Sequence, residues 1–170
     1  MGIASDLMKL GSDQLQTQFE IIFPKGIPGG GNTDLLSLRA DTQFDPPERN
    51  VGSYEVFKKG VKMVYTNMVQ DMDKSSLTIE FRLDQEWAVY DALNSWHKLC
   101  YDYETGTALP EIATRTDIYV IAEDKQLNTV KTLKFIDAKI KSLKVGTFDN
   151  QGADPVRVTA IFIFNDMDME

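Results

Sequence analysis

Cysteine and histidine are almost missing from this 170-residue chain, which has one of each, Cys100 and His97. A single cysteine cannot form an intrachain disulfide, and no Asn-x-Ser/Thr sequon appears, so nothing argues for oxidising secretion and the cytoplasm is the expected place of folding. A single histidine is too few for a His-rich metal cluster. Basic charge is short as well. Lys and Arg number 18 against 26 Asp and Glu, for a net charge of -8, which disfavours a binder that gains affinity by neutralising phosphates with clustered cations. An acidic surface suits a passage through which nucleic acid moves without sticking.

Long apolar runs are lacking too. "IYVIA" and "AIFIF", about five residues each, fall far short of the roughly 20 that a membrane-spanning helix needs, so no membrane partner is expected. The opening "MGIASDLMKL" lacks a signal-peptide layout, and Asp6 stands where a myristoylation motif needs Ser or Thr.

The 42% apolar and 10% aromatic content suffices for a hydrophobic core, and the length suits one domain over 1–170. Residues 16–23, "QTQFEIIF", read as a strand ended by Pro24, and "KGIPGGGNTD" reads as a flexible loop. "LLSLRAD" sets Leu36, Leu38 and Ala40 against Ser37, Arg39 and Asp41, which predicts a half-buried strand over 34–42. Pro46 and Pro47 then remove two backbone donors, so residues 45–50 form a polar elbow outside any ladder. Alternation resumes in "SYEVFKKGVKMVYTN", read as a returning strand over 56–66 with Val61, Met63 and Tyr65 on one side. "SSLTIEFRL" puts Leu77, Ile79, Phe81 and Leu83 on one face.

One helix is predicted over 84–105, with Asp84 as N-cap, Gly106 as left-handed C-terminal residue, and a stripe of Val89, Ala92, Leu93, Trp96, Leu99, Cys100 and Tyr103. The segment 115–165 reads as strands. Ile136, Ala138 and Ile140 share a parity that Leu143 and Val145 break, which predicts a bulge or turn near Lys141 and Ser142. "AIFIF" is apolar on both parities, implying burial on both faces. The fold class is mainly β with one helix (α+β): a small antiparallel β-sandwich or barrel, flanked by the helix and bearing a long hairpin arm over 34–66.

Chemistry-bearing constellations are weak. His97 and Cys100 are three apart on the helix, but Cys100 lies on the core stripe and no third group orients the pair, so core and flank roles are favoured. "DMDKS" at 71–75 and "NDMDME" at 165–170 bunch carboxylates without the glycine and distal Glu of a calcium loop, and read as a solvated hairpin tip and a frayed acidic tail. "GIPGGGN" lacks the Gly-Lys-Ser/Thr ending of a phosphate loop. Glu80, Asp84 and Glu86 read as ordinary charge at a strand-to-helix junction. No catalytic residue, cofactor or metal is expected, and an enzyme reading is disfavoured.

A β-rich domain must hide its strand edges, and self-assembly into a closed ring does so. The order "LRAD", proline-bearing elbow with Val51 and Tyr54, "GVKMVYTN", "SSLTIEFRLDQEWAVYDALNSW", then "LKFIDAKIKSLKVGTFDNQGADPVRVTAIFIFNDMD", resembles the tail tube protein of contractile-tailed bacteriophages over most of residues 16–168. That resemblance implies a virion protein whose six-membered rings stack into a hollow tube inside a contractile sheath, the conduit for DNA ejection, assembled in the host cytoplasm. It implies partners: further copies of itself, a sheath protein, baseplate and tube-initiator proteins, and a tape measure protein and DNA as passengers. By position, the contacts between subunits and rings fall on Phe44, Asp45, Pro46, Pro47, Glu48, Arg49, Asn50, Val51, Gly52 and Tyr54, with the chain start and the tail after Asn165. Asp41 and Glu80 are candidate lumen-facing acids. The competing readings are the tube of a non-viral contractile machine such as a type six secretion or tailocin-like particle, a baseplate tube initiator, and a monomeric β-barrel binding module. The first 15 residues and "GIPGGGN" depart from the pattern.

Overall fold

The computed structural model describes residues 19–45, 50–71, 76–149 and 152–170, and for residues 41–45, 50–52 and 67–71 it describes the backbone alone. The elements are β1 (Phe19–Ile22), α1 (Thr33–Arg39), β2 (Ala40–Asp45), β3 (Asn50–Lys58), β4 (Val61–Asp71), β5 (Ser76–Arg82), α2 (Ala88–Cys100), α3 (Glu111–Thr114), β6 (Thr116–Glu123), β7 (Thr129–Val145), β8 (Arg157–Ile163) and β9 (Asp166–Met169). Seven strands form one antiparallel sheet in the order β1-β6-β7-β8-β5-β2, with β9 added beside β7, while β3 and β4 make a separate two-stranded sheet. The fold is therefore mainly antiparallel β with few helices, as expected.

The period-two pattern of β5 works as read: Leu77, Ile79 and Phe81 are fully buried, because alternate side chains share one face. Val158, Ala160 and Phe162 of the neighbouring β8 join them. Phe164 is buried as well, but Ile161 and Ile163 are only half-buried, so "AIFIF" has one buried face rather than two.

Strand β7 is 17 residues long and changes partner midway, pairing β6 and β9 first and β8 afterwards. Two irregularities make this possible. The register with β6 shifts between Thr116 and Ile118, opposite a residue, Asp137, whose φ is 54°. The register with β8 shifts between Ile140 and Ser142, where the broken parity predicts it. Each extra residue resets the alternation, so Phe135, Ala138 and Ile140 all point inward although their numbers differ in parity.

Four further sequence expectations need correction. Residues 34–42 are not one strand: Thr33–Arg39 is helical, with the Asn32 side chain accepting the N–H groups of Asp34 and Leu35 at 3.1 and 3.2 Å, and the strand starts at Ala40. A three-residue alternation is compatible with a single helical turn, and the N-cap decides for the helix. Leu36 is buried while Leu38 is 76% exposed.

The predicted 84–105 helix is shorter, Ala88–Cys100. Its N-cap is Trp87, at φ 60°, rather than Asp84, whose carboxylate nevertheless accepts the Ala88 and Val89 N–H groups at 3.1 Å each from the preceding turn. At the far end Gly106 is left-handed, as read, but within a turn closed by the Asp102–Thr107 bridge, and Tyr103 is 78% exposed rather than on the core stripe.

The returning strand is not a single run. Strands β3 and β4 pair with each other across a two-residue Lys59-Gly60 turn with φ of 51° and 79°, and β4 has no ladder to the 34–42 region. Left-handed values at both turn residues match the right-handed twist of a hairpin, which suits glycine.

Last, the acidic tail is not frayed. Met167 is 5% exposed and pairs with Phe135, and Glu170 exchanges both backbone hydrogen bonds with Thr132, at 2.8 and 2.9 Å. The acidic residues alternate with the methionines, which is a strand pattern hidden by composition.

Val89, Leu93 and Trp96 of α2 belong to the same core as the inner face of the sheet. Trp96 meets Phe162 and Phe23 with ring centroids 5.3 and 6.5 Å apart, and donates its indole N–H to the Thr114 carbonyl at 2.7 Å. The glycine-rich loop lies against α2: a Cβ on Gly31 would come within 2.7 Å of the Ala92 Cβ, so only glycine lets the loop approach.

Candidate assembly surfaces

The arm is the most exposed element. All of residues 53–66 are exposed, including Tyr54, Val56, Phe57, Val61, Met63, Val64 and Tyr65. The pairing puts Tyr54 opposite Tyr65 and Val56 opposite Met63 on one face, and Glu55 opposite Val64 and Phe57 opposite Lys62 on the other. Tyr54 and Tyr65 stack with centroids 5.5 Å apart, and Lys62 pairs with Glu55 at 2.5 Å. A two-stranded ribbon is marginal in water on its own, and one apolar on both faces is what a partner surface would cover.

The main sheet offers two further surfaces. Strands β1 and β2 are its outer strands, and among the described residues neither has a second strand partner. The outer edge of such a strand is the template for pairing with another chain.

Of the expected contact residues, the described ones lie in β2 and β3. Phe44 and Asp45 lie in β2 opposite Ile79 and Thr78, and Asn50 and Val51 open β3 opposite Asp71 and Gln70. Gly52 sits at the register shift between Val51 and Ser53, and Tyr54 follows. Pro46, Pro47, Glu48 and Arg49 lie outside the described residues, as does most of "DMDKS". Asp41 is in β2, and Glu80 is half-buried in β5 opposite Thr159. The register places Lys144 next along that row and Arg82 opposite Arg157 one row on. Glu80 therefore shares its sheet face with cations, not with a bank of carboxylates.

Behind these surfaces lies a polar lattice that sequence reasoning missed. Arg115 donates to Glu111, to the Asp137 carbonyl at 2.7 Å and to Asn165 at 3.2 Å, which ties α3, the β7 bulge and the start of the tail together. Lys25 reaches Asp117 at 2.6 Å, and Asp117 also accepts the Asp137 N–H at 3.2 Å. Burial pushes the Asp117 carboxyl up, but Lys25 and the Asp137 N–H outweigh it and hold the group below the usual carboxylate range. These residues are far apart in sequence, and no spacing marks them.

The catalytic candidates do not combine. Burial raises the Cys100 thiol above its ordinary value, the opposite of what a nucleophile needs, and His97 stacks on Tyr103 at 6.0 Å. For Asp84, burial also pushes upward, yet the Val89 and Ala88 N–H groups prevail and lower it, so it is a capping carboxylate. Among the described residues no group of three or more His, Cys, Asp or Glu could hold a metal, and no helix is long and apolar enough to cross a membrane.

No family model matches this chain, and no curated protein matches its sequence. Solved structures do. A chain of the tube-terminating cap of the anti-feeding prophage is 12% identical and superposes with a TM-score of 0.68 over 100% of this chain and 99% of its own. A chain from the sheath/tube terminator of an extracellular contractile injection system, in the extended state, is 12% identical with a TM-score of 0.64 over 95% and 99%. One from the sheath-tube complex of that system is 12% identical with a TM-score of 0.60 over 99% of each chain. At such identity the likeness carries the fold, and it runs the full length of both chains.

Proposed function

We infer that this chain is a structural subunit of a tube in a contractile injection apparatus, with no turnover of its own. The observation that carries the reading is one sheet with an outer strand at each side, β1 and β2, joined to an exposed apolar arm. In a head-to-tail ring of identical copies the β1 and β2 edges become ladders, which leaves the short β9 and the arm strands as the described strands with an open side. Six copies per ring, rings stacked inside a sheath, and a baseplate from which the tube starts complete the proposal. The full-length likeness to chains of tube caps and sheath-tube complexes supports it.

Two settings suit such a tube: a phage tail that ejects DNA past a tape measure protein, or a non-viral injection machine. The second is favoured by the source of the similar structures. Electron microscopy of the purified protein tests the reading. Hollow rings or tubes of uniform bore are expected, and a homogeneous monomer at every concentration would overturn it. Gene neighbours encoding capsid and terminase would return the assignment to a phage.

A further inference from the structure

The exposed flank of α2 carries a series of rings. Trp87, Tyr90, Asn94 and His97 follow one another at spacings of three and four, which keeps them on one side of the helix. Val89, Leu93 and Trp96 take another side into the core. Phe148 stacks on Trp87 with centroids 6.1 Å apart, and Trp87 meets Tyr90 edge-on at 5.6 Å. Farther along, His97 stacks on Tyr103, and Tyr103 meets Tyr101 edge-on at 4.8 Å. Tyr90, Asn94, His97 and Tyr103 line one cleft, which joins the two groups of rings. From Trp87 to His97 the helix rises about 15 Å, the length of roughly five residues of extended chain.

The cleft has fixed walls. One is a closed turn: the Asp102–Thr107 bridge, the Gly106 N–H on the Asp102 carbonyl at 2.8 Å and the Glu104 N–H on the Asp102 carboxylate at 2.9 Å hold the backbone that presents the exposed Tyr103. Helix α2 packs on β7, whose Lys141, Ser142 and Leu143 complete the lining. Lys141 is the extra residue between Ile140 and Ser142, with no partner on β8, and a bulge of this kind re-aims a side chain. Lys141 and Lys98 both line the cleft, and neither forms an ion pair among the described residues. Of the two acids beside them, Asp102 is already engaged by its own turn: the Glu104 N–H, then the Thr105 hydroxyl, hold its carboxyl below the usual carboxylate range. Glu104 is left facing two ammonium groups.

Rings at both ends and cations between them fit an extended chain with apolar side chains at its ends and carboxylates in its middle. Single-stranded nucleic acid also stacks on rings, but it needs a cation for each of several phosphates, and the cleft offers two lysines beside Glu104 on a chain of net charge -8. We propose that this flank of α2 is a docking groove for an extended acidic segment of a partner protein. The segment's carboxylates meet Lys98 and Lys141, and its apolar side chains cover Tyr103 at one end and the exposed Phe148 and Trp87 rings at the other. The half-buried Asn94 side chain, midway, offers its amide to the segment's backbone. The groove includes neither the outer strands β1 and β2 nor the arm, so binding is expected of a free copy and of a ring alike.

Fluorescence anisotropy tests this with a labelled heptapeptide, Tyr-Pro-Asp-Glu-Asp-Pro-Phe, the same peptide with lysine in place of its acids, and an oligothymidylate of similar length. The full-length chain is expected to bind the acidic peptide, more weakly as salt rises, and to bind the other two probes roughly tenfold less tightly or worse. Lys98→Glu/Lys141→Glu is expected to invert the preference between the two peptides. Tyr103→Ala is expected to weaken the acidic peptide about tenfold at both low and high salt. All three side chains are exposed, so unchanged melting is expected and separates lost binding from lost folding. No binding of the acidic peptide at millimolar protein, variants that bind it like wild type, or tighter binding of oligothymidylate overturns the docking groove. The ring reading stands or falls separately, by microscopy.

Discussion

Trp96 is fully buried, and its indole N–H is the group that satisfies the Thr114 carbonyl. Trp96→Phe keeps most of the apolar contact but orphans that carbonyl and leaves a void, at a cost of about 1–3 kcal/mol. For a domain of this size that is a fall in Tm of about 2–4 °C per kcal/mol, readable by calorimetry. Asp117 gives a pH signature. Its folded carboxyl lies below the usual range, so the stability it contributes is present above about pH 4, the unfolded value, and is lost as pH falls through the folded value. Asp117→Asn is expected to lower stability at neutral pH and to flatten the acid limb of the stability profile, whereas an unchanged limb would remove Asp117 from the account. Some of this scale was legible in sequence: Asp84 announces a helix start because a short carboxylate before an apolar stripe is a capping signal. The left-handed Trp87 was not, since no local rule places a bulky aromatic there and the surrounding turn imposes it.

Among the elements, the arm depends on one turn. Gly60 has φ 79°, and a Cβ at that position would meet nothing within 4 Å, so the strain of a side chain there is purely conformational. Gly60→Val is expected to cost the hairpin about 1 kcal/mol or more while the main sheet, which does not include β3 and β4, keeps its Tm. Faster proteolysis within 53–66 at unchanged global melting is the expected result, and a cooperative drop in Tm would show the arm to be part of the core unit. Where periodicity was long, as in β5 and β7, strands and even the bulge at Lys141 and Ser142 could be read, because parity errors in a buried strand have few structural explanations. Where it was short, in 34–40, the Asn32 cap overrode it. The Lys59-Gly60 turn went unread because the apolar alternation on both sides of it looks continuous.

At the scale of the molecule, the sequence made a mainly antiparallel β domain with a hairpin arm legible through its alternating segments and the elbow prolines. It could not show which strands end up outermost, since that depends on the partner switch of β7 in the middle of the sheet. The central claim is that β1 and β2 are completed by other copies. Electron cryomicroscopy of the assembled full-length chain tests it most directly. Hollow rings are expected in which the outer edges of Phe19–Ile22 and Ala40–Asp45 pair across the subunit boundary. A solitary, non-associating molecule, or rings whose copies meet elsewhere with both edges bare, would contradict it.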